Sequence, residues 1–294
     1  MKIEPECIGC FFNQILKAFK LLKPDISNDI ILDAQEHIMK FLLEKDIKKI
    51  TSPLVGKYLY NLVGKILGDD DPYAHLKNES NHTALKFYNK IKEFVEKANN
   101  PILEALVVSA LGNTIDFASQ HKIDILNDIE EISPMDLIIN DYVEFKKSLE
   151  STDRLVILLD NAGEIVFDKI LVEVLLYFYP NIKIICAVRS APIINDATIE
   201  DAEYIGLTDL VKVIKSSPAP GIDFSDISEE LRKYLYSKNG MILSKGQGNF
   251  ETLYGLEIPN KNVFYLLKAK CNLMERIFKV KVGSLILKKK IFGF

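Results

Sequence analysis

Hydrophobic spacing divides the chain in two. From Cys7 to about Ile129, apolar residues recur every three or four positions, the period of an amphipathic helix. Phe11, Phe12, Ile15, Leu16, Phe19 and Leu22 form a first stripe that Pro24 ends. Ser27 stands as N-cap before a second stripe of Ile30, Ile31, Ala34, Ile38, Phe41 and Leu42. Ser52-Pro53 and Asn100-Pro101 each put an N-cap residue before a proline at the first helical position. They predict helices near 53–67 and 101–112, with a further helix at about 81–98. No strand-like alternation interrupts this half, so residues 1–150 read as a helical domain or cap, with the boundary near 135–153.

Beyond it the pattern changes. Short apolar runs at 155–159, 183–188, 211–215, 241–243 and 263–268 alternate with helical segments at about 164–179, 198–206 and 227–237. Such β-α-β-α alternation predicts an α/β fold over 151–294, a mostly parallel sheet with helices on both faces. The run Leu155-Val-Ile-Leu-Leu159 is continuous rather than alternating, as expected of a strand buried on both faces. Lys288-Lys-Lys290 reads as a solvated tail or sheet edge.

Polar residues cluster where these strands end. Asp160, Asn161 and Glu164 follow the first run. Arg189, Ser190 and the turn to Asn195-Asp196 follow the second. Lys245-Gly246-Gln247-Gly248-Asn249 follows the run at 241–243. Ligands of open α/β sheets bind outside the carboxyl ends of the strands. Asp160, Asn161 and Asp196 are hard oxygen donors suited to Mg²⁺ or Mn²⁺ and the phosphate oxygens such ions accept. Singly, Asp160 and Asn195-Asp196 read equally well as helix caps; as a set with Lys245 they favour a site. The glycines of 245–249 allow an anion close to the backbone and Lys245 supplies a point charge, although the spacing matches neither a P-loop nor a dinucleotide fingerprint.

Composition narrows the function classes. The 294 residues are 48% hydrophobic and 27% charged, with a formal net charge of −4, so no basic field points to nucleic acid. No run reaches the eighteen or so apolar residues of a membrane span, and the first residues lack a signal-peptide pattern; a cytoplasmic protein is expected. Four cysteines are too few for a disulfide scaffold. Cys7-Ile-Gly-Cys10 has metal-ligand spacing, but one pair is half of a tetrahedral site. Cys271 could add a third ligand, and two small residues at a helix start explain the pair equally well.

These residues resemble the damage-control phosphatases, formerly a domain of unknown function, in the prokaryotic subgroup with an N-terminal Cys-x-x-Cys. The resemblance runs through Cys7-x-x-Cys10, Asp71-Pro72-Tyr73 with Lys77, Gly112-Asn113-Thr-Ile-Asp116, Asp160-Asn161-Ala-Gly-Glu164, Val188-Arg189 to Asn195-Asp196-Ala-Thr, Lys245-Gly-Gln-Gly-Asn249-Phe-Glu251 and Lys268-Ala-Lys-Cys271. It implies a Rossmann-like part behind a helical one, and one divalent ion (Mn²⁺, Mg²⁺, Co²⁺ or Ni²⁺) on Asp160, Asn161 and Asp196. It implies hydrolysis of small phosphomonoesters such as sugar phosphates or damaged phosphometabolites. Lys245 would grip the phosphate, with Asn249, Gly246, Gly248 and neighbouring amides lining the substrate. Arg189, beside Ser190, would neutralise developing charge, Glu164 would orient a water or a substrate hydroxyl, and the nucleophile would be water or Asp160. Asn113, Asp116 and Tyr73 would set specificity from the helical part. The Arg-Thr-x-Lys motif of the eukaryotic subgroup is not found, so that subgroup's sugar-phosphate preference does not carry over. Two rival readings stand beside this one: a phosphometabolite- or nucleotide-binding regulator without turnover, and an interaction module built on a zinc or redox site of Cys7, Cys10 and Cys271.

Overall fold

The structure, a computed structural model, describes residues 1–112, 137–260 and 262–290; Asn113 and Asp116 fall outside them. Five helices come first: α1 (Pro5–Leu22), α2 (Asn28–Glu44), α3 (Ser52–Leu67), α4 (Ala74–Lys97) and α5 (Pro101–Gly112). The expected caps form at Ser27, whose hydroxyl accepts from Ile30 N at 3.3 Å, and at Asn100, whose Oδ1 accepts from Leu103 N at 3.3 Å. Ser52 is instead already helical, with Thr51 at the N-cap. Helix α4 starts well ahead of residue 81 because its first turns are polar, and their contacts are ion pairs and hydrogen bonds that apolar spacing does not report.

The sheet has seven strands among the described residues: β1 (Leu137–Asn140), β2 (Arg154–Leu158), β3 (Lys183–Val188), β4 (Lys212–Lys215), β5 (Met241–Lys245), β6 (Val263–Lys268) and β7 (Leu285–Lys289). The helices among them are α6 (Tyr142–Glu150), α7 (Glu164–Phe178), α8 (Ile199–Tyr204), α9 (Glu229–Leu235), α10 (Gly246–Leu253) and α11 (Asn272–Phe278). The strand order is β1-β7-β6-β5-β2-β3-β4, parallel throughout except for the β6/β7 pair. Two features depart from the periodicity. Strand β1 pairs with β7, so the sheet starts before residue 151. The lysine-rich end is no tail: β7 lies between β1 and β6, and Lys288 pairs with Asp141 at 3.0 Å. Both strands are short, and neither alternates cleanly.

Strand β2 is buried on both faces. Leu155, Ile157 and Leu159 join the core under α4, α5 and α7, while Val156 and Leu158 join the core under α9, α10 and α11. Helices α1–α3 form a third apolar cluster around Phe11, Ile15, Phe19, Val55, Leu59 and Val63. From β2 the chain runs outward through β3 and β4, then returns across β2 to add β5 and β6. The order therefore reverses between β2 and β5, and a crevice opens at their carboxyl ends.

Candidate active site

The two segments that carry the acidic residues are joined to each other. Asp160 and Asn161 leave β2; Asn195 and Asp196 lie in the turn that follows β3 and Arg189. Ala197 N donates to Asp160 O at 2.8 Å and Ala162 N to Asn195 O at 2.9 Å, so the segments run as a one-step antiparallel bridge with Asn161 opposite Asp196. Neither aspartate caps a helix: Gly163 is the N-cap of α7, and Thr198 with Asp201 forms a capping box on α8. That removes the structural explanation the sequence offered for both.

Arg189 clamps the pair from behind. Its guanidinium is buried, donating from Nε to Asp196 Oδ2 at 2.5 Å, from Nη2 to Asp160 Oδ1 at 3.1 Å, and from Nη1 to Asn249 Oδ1 at 2.8 Å and Gly221 O at 3.1 Å. Asn249 completes the brace, its Nδ2 donating to Leu159 O and Lys245 O, so one amide ties the ends of β2 and β5. Gly246 has φ +75, and any Cβ there would overlap Asp160 Oδ2. Its role in this fold is to leave room for that carboxylate.

A second buried network lies deeper. The Lys245 ammonium, wholly enclosed, donates to Glu164 Oε1 at 2.6 Å, Asp168 Oδ1 at 2.7 Å and Ser109 O at 3.1 Å. Its three hydrogens are engaged, and it sits behind the cavity rather than in its wall. Burial opposes the charge on Lys245, but Asp168 and Glu164 outweigh it and hold the ammonium above its ordinary value. Burial pushes the Glu164 carboxyl up to about 7, with Lys245 pulling back and Asp168 and Asp160 adding to the rise. Asp168 is raised by burial too, opposed by Lys245 and Ser109. Glu164 Oε2 accepts from Asn161 Nδ2 at 3.3 Å, which links this network to the aspartates.

In front lies a cavity of about 550 Å³, walled on one side by Asp160, Asn161, Asp196 and Gly248 and on the other by α1 and α3, with Tyr73 and Tyr60 between. Of the residues expected at the substrate, Asp160, Asn161, Asp196, Tyr73 and Gly248 reach it. Glu164, Arg189, Lys245, Gly246 and Asn249 stand behind it, and Ser190 lines a separate cavity of about 230 Å³. Burial raises Asp196 to about 7, against the pull of Arg189 and with the push of Asp160.

The residues fit a hard divalent cation. Asp160, Glu164, Asp168 and Asp196 put four buried carboxylates against two buried cations, Arg189 and Lys245, an excess of acidic groups that a divalent ion would offset. Among the described residues no three His, Cys, Asp or Glu side chains group to hold a metal. An ion at this wall would rest on two carboxylates and the Asn161 amide oxygen, leaving positions for water or phosphate, the coordination that Mg²⁺ and Mn²⁺ accept. Cys7, Cys10 and Cys271 are free thiols, and the same absence of a three-ligand group covers them.

Asp168, Ser109 and Asn81 were not anticipated. Asp168 lies one turn beyond Glu164 on the buried face of an apolar helix, a spacing that calls for a buried cation. Asn81, on α4, accepts from Gly163 N at 2.6 Å and donates to Asp201 Oδ1 at 2.8 Å. It ties the turn after Asn161 to the cap after Asp196, with Lys77 bound to Asp71 at 2.7 Å and near Asp201 at 3.6 Å.

Fold and site together define an α/β protein with an acidic cavity at the switch point of its sheet. The chain belongs to the damage-control phosphatase ARMT1-like domain family, whose model matches residues 3–286. It is 32% identical over 294 residues to a damage-control phosphatase of Pyrococcus horikoshii, covering 99% of each chain. It is also 32% identical over 294 residues to a damage-control phosphatase of Archaeoglobus fulgidus, covering 98% of this chain and 99% of that one. The crystal structure of a DUF89 family protein from Pyrococcus horikoshii superposes with a TM-score of 0.87 at 30% identity, covering 99% of this chain and 100% of that chain. Among the described residues no helix is long and apolar enough to cross a membrane.

Proposed function

We propose that the chain is a divalent-metal-dependent phosphatase of small phosphomonoesters, acting on sugar phosphates, nucleotides or damaged phosphometabolites in the cytoplasm. The observation that carries this reading is the bridge holding Asp160, Asn161 and Asp196 on one cavity wall, beneath an excess of buried negative charge. A bound Mg²⁺, Mn²⁺, Co²⁺ or Ni²⁺ would polarise the phosphoryl oxygens and lower the pKa of a bound water.

The chain's own residues do the rest. Arg189 holds the two aspartates at a set separation, so their oxygens need no reorganisation when substrate enters. Lys245 acts through Glu164 and Asp168: it holds Glu164 Oε1, while Glu164 Oε2 accepts from Asn161 Nδ2 and so fixes how that amide faces the wall. Asp160 is the alternative nucleophile. Tyr60 and Tyr73, whose phenols burial holds protonated, present donors and ring faces to the leaving group.

The test is phosphate release from sugar phosphates, nucleotides and p-nitrophenyl phosphate, run metal-free and with each ion, beside Asp196→Ala. Metal-dependent release that the substitution abolishes supports the reading. A folded protein that releases nothing with any of the four ions overturns it in favour of a binding protein without turnover.

A further inference from the structure

A phosphate ester at the wall of Asp160 and Asp196 brings negative charge to a negative site, and the two cations nearest that wall do not face it. Arg189 and Lys245 are enclosed, and the contacts described above hold Arg189 by four acceptors and Lys245 by three. Among the described residues that line the cavity, two carry positive charge: Lys17 on α1, across from the aspartates, and Lys270, just past the end of β6. Lys270 is exposed and forms no ion pair among the described residues. Its backbone is bonded to Gln247, the neighbour of the wall residue Gly248, and all three line the cavity with Asp160 and Asp196.

The backbone under Lys270 is fixed while its side chain is free. Lys270 N donates to Gln247 Oε1 at 3.2 Å, and Gln247 Nε2 donates to Glu251 Oε1 at 2.7 Å, so α10 holds it from one side. Ala269 N donates to Ser284 O at 2.9 Å and accepts Gly283 N on its carbonyl at 2.8 Å, holding it from the other. A pinned backbone carrying a four-carbon stem and a compact ammonium suits contact with a phosphoryl group, which moves as bonds change.

We infer that Lys270 is the cation that meets the phosphoryl oxygens of the substrate, the contact the sequence suggested for Lys245. The inference rests on the phosphatase reading for the identity of the ligand, and inorganic phosphate is the probe that separates the two.

Calorimetric titration with inorganic phosphate in the presence of Mg²⁺ would compare the wild type with Lys270→Ala, Lys270→Arg and Lys17→Ala. Mg²⁺ binding would be measured alone for each. We expect Lys270→Ala to weaken phosphate by ten-fold or more and to leave Mg²⁺ binding equal or tighter. Lys270→Arg should stay within about three-fold of the wild type, and Lys17→Ala within two-fold. Phosphate binding to Lys270→Ala within two-fold of the wild type overturns the inference, as does a wild type that binds no phosphate. A wild type that binds phosphate through Lys270 but releases none from any ester keeps the inference and removes the phosphatase reading.

Discussion

Asp160 Oδ2 occupies the space that a side chain on Gly246 would fill. The glycine after β5 is thus tied to the aspartate after β2, and the crevice between these strands depends on the missing Cβ. Gly246→Ala combines this overlap with a left-handed backbone, φ +75, that alanine disfavours. Gly255, at φ +73, has open space where its Cβ would stand, so Gly255→Ala carries the backbone term alone. Urea denaturation should show Gly255→Ala losing about 1 kcal/mol and Gly246→Ala roughly 1–3 kcal/mol more. Only the latter should also lose metal-dependent phosphate release, by ten-fold or more. Equal behaviour of the two variants would show that Asp160 moves aside freely.

The enclosed Lys245 makes a different prediction from a phosphate-gripping lysine. Lys245→Met leaves Glu164 and Asp168 buried without their counter-charge, a loss of roughly 3–5 kcal/mol for breaking a buried pair. Because protonation relieves the uncompensated charge, the deficit should shrink as pH falls from 8 to 6. A lysine whose work is confined to substrate would leave the melting temperature unchanged at both pH values.

The periodicity carried much of this fold, and its failures have physical causes. Leu155–Leu159 was legible because both faces of β2 are covered, and the convergence of Asp160, Asn161 and Asp196 because parallel strands end on one edge. Where Lys245 points was legible in principle: period two places it with Met241 and Leu243, on the face that α7 covers. The carboxylates on α7, Glu164 and Asp168, are its partners. Asn81 was not legible, since α4 is polar enough to read as a solvated helix and its contacts are with residues 82 and 120 positions away. Strand β1 was hidden by its four-residue length, and β7 by the lysines at its end, which read as a solvated segment.

Asn81 supports the turns that follow both acidic segments. Asn81→Ala removes the acceptor of Gly163 N–H and the donor to Asp201, leaving buried groups unsatisfied at roughly 1–3 kcal/mol. Since Gly163 closes the turn that begins at Asn161, the variant should also bind Mn²⁺ at least five-fold more weakly in a calorimetric titration. Asn81→Asp should do worse, because a carboxylate there faces Asp201 and cannot donate. Loss of stability with Mn²⁺ affinity intact would make Asn81 a helix anchor and nothing more.

The raised carboxyls set how stability of the metal-free protein varies with pH. Glu164 and Asp196 ionise at about 7 in the fold, against ordinary values of 4.5 and 3.8. Between those limits the folded chain holds protons that the unfolded chain has released, so stability falls as pH rises from about 4 to 7. With EDTA present, the melting temperature should therefore be higher at pH 5.5 than at pH 8, by several degrees. Asp196→Asn, which keeps the shape and removes one titrating group, should flatten that slope. A divalent ion bound at this wall would compete with the same protons and reverse the order: Mn²⁺ at a hundred times its Kd would add about 2.7 kcal/mol, most fully at pH 8, where the carboxylates are ionised. Melting curves at both pH values, with EDTA and with Mn²⁺, test the two halves separately. If the EDTA-treated protein is the more stable at pH 8, the buried carboxylates are already compensated and the case for an ion at this wall loses its electrostatic basis.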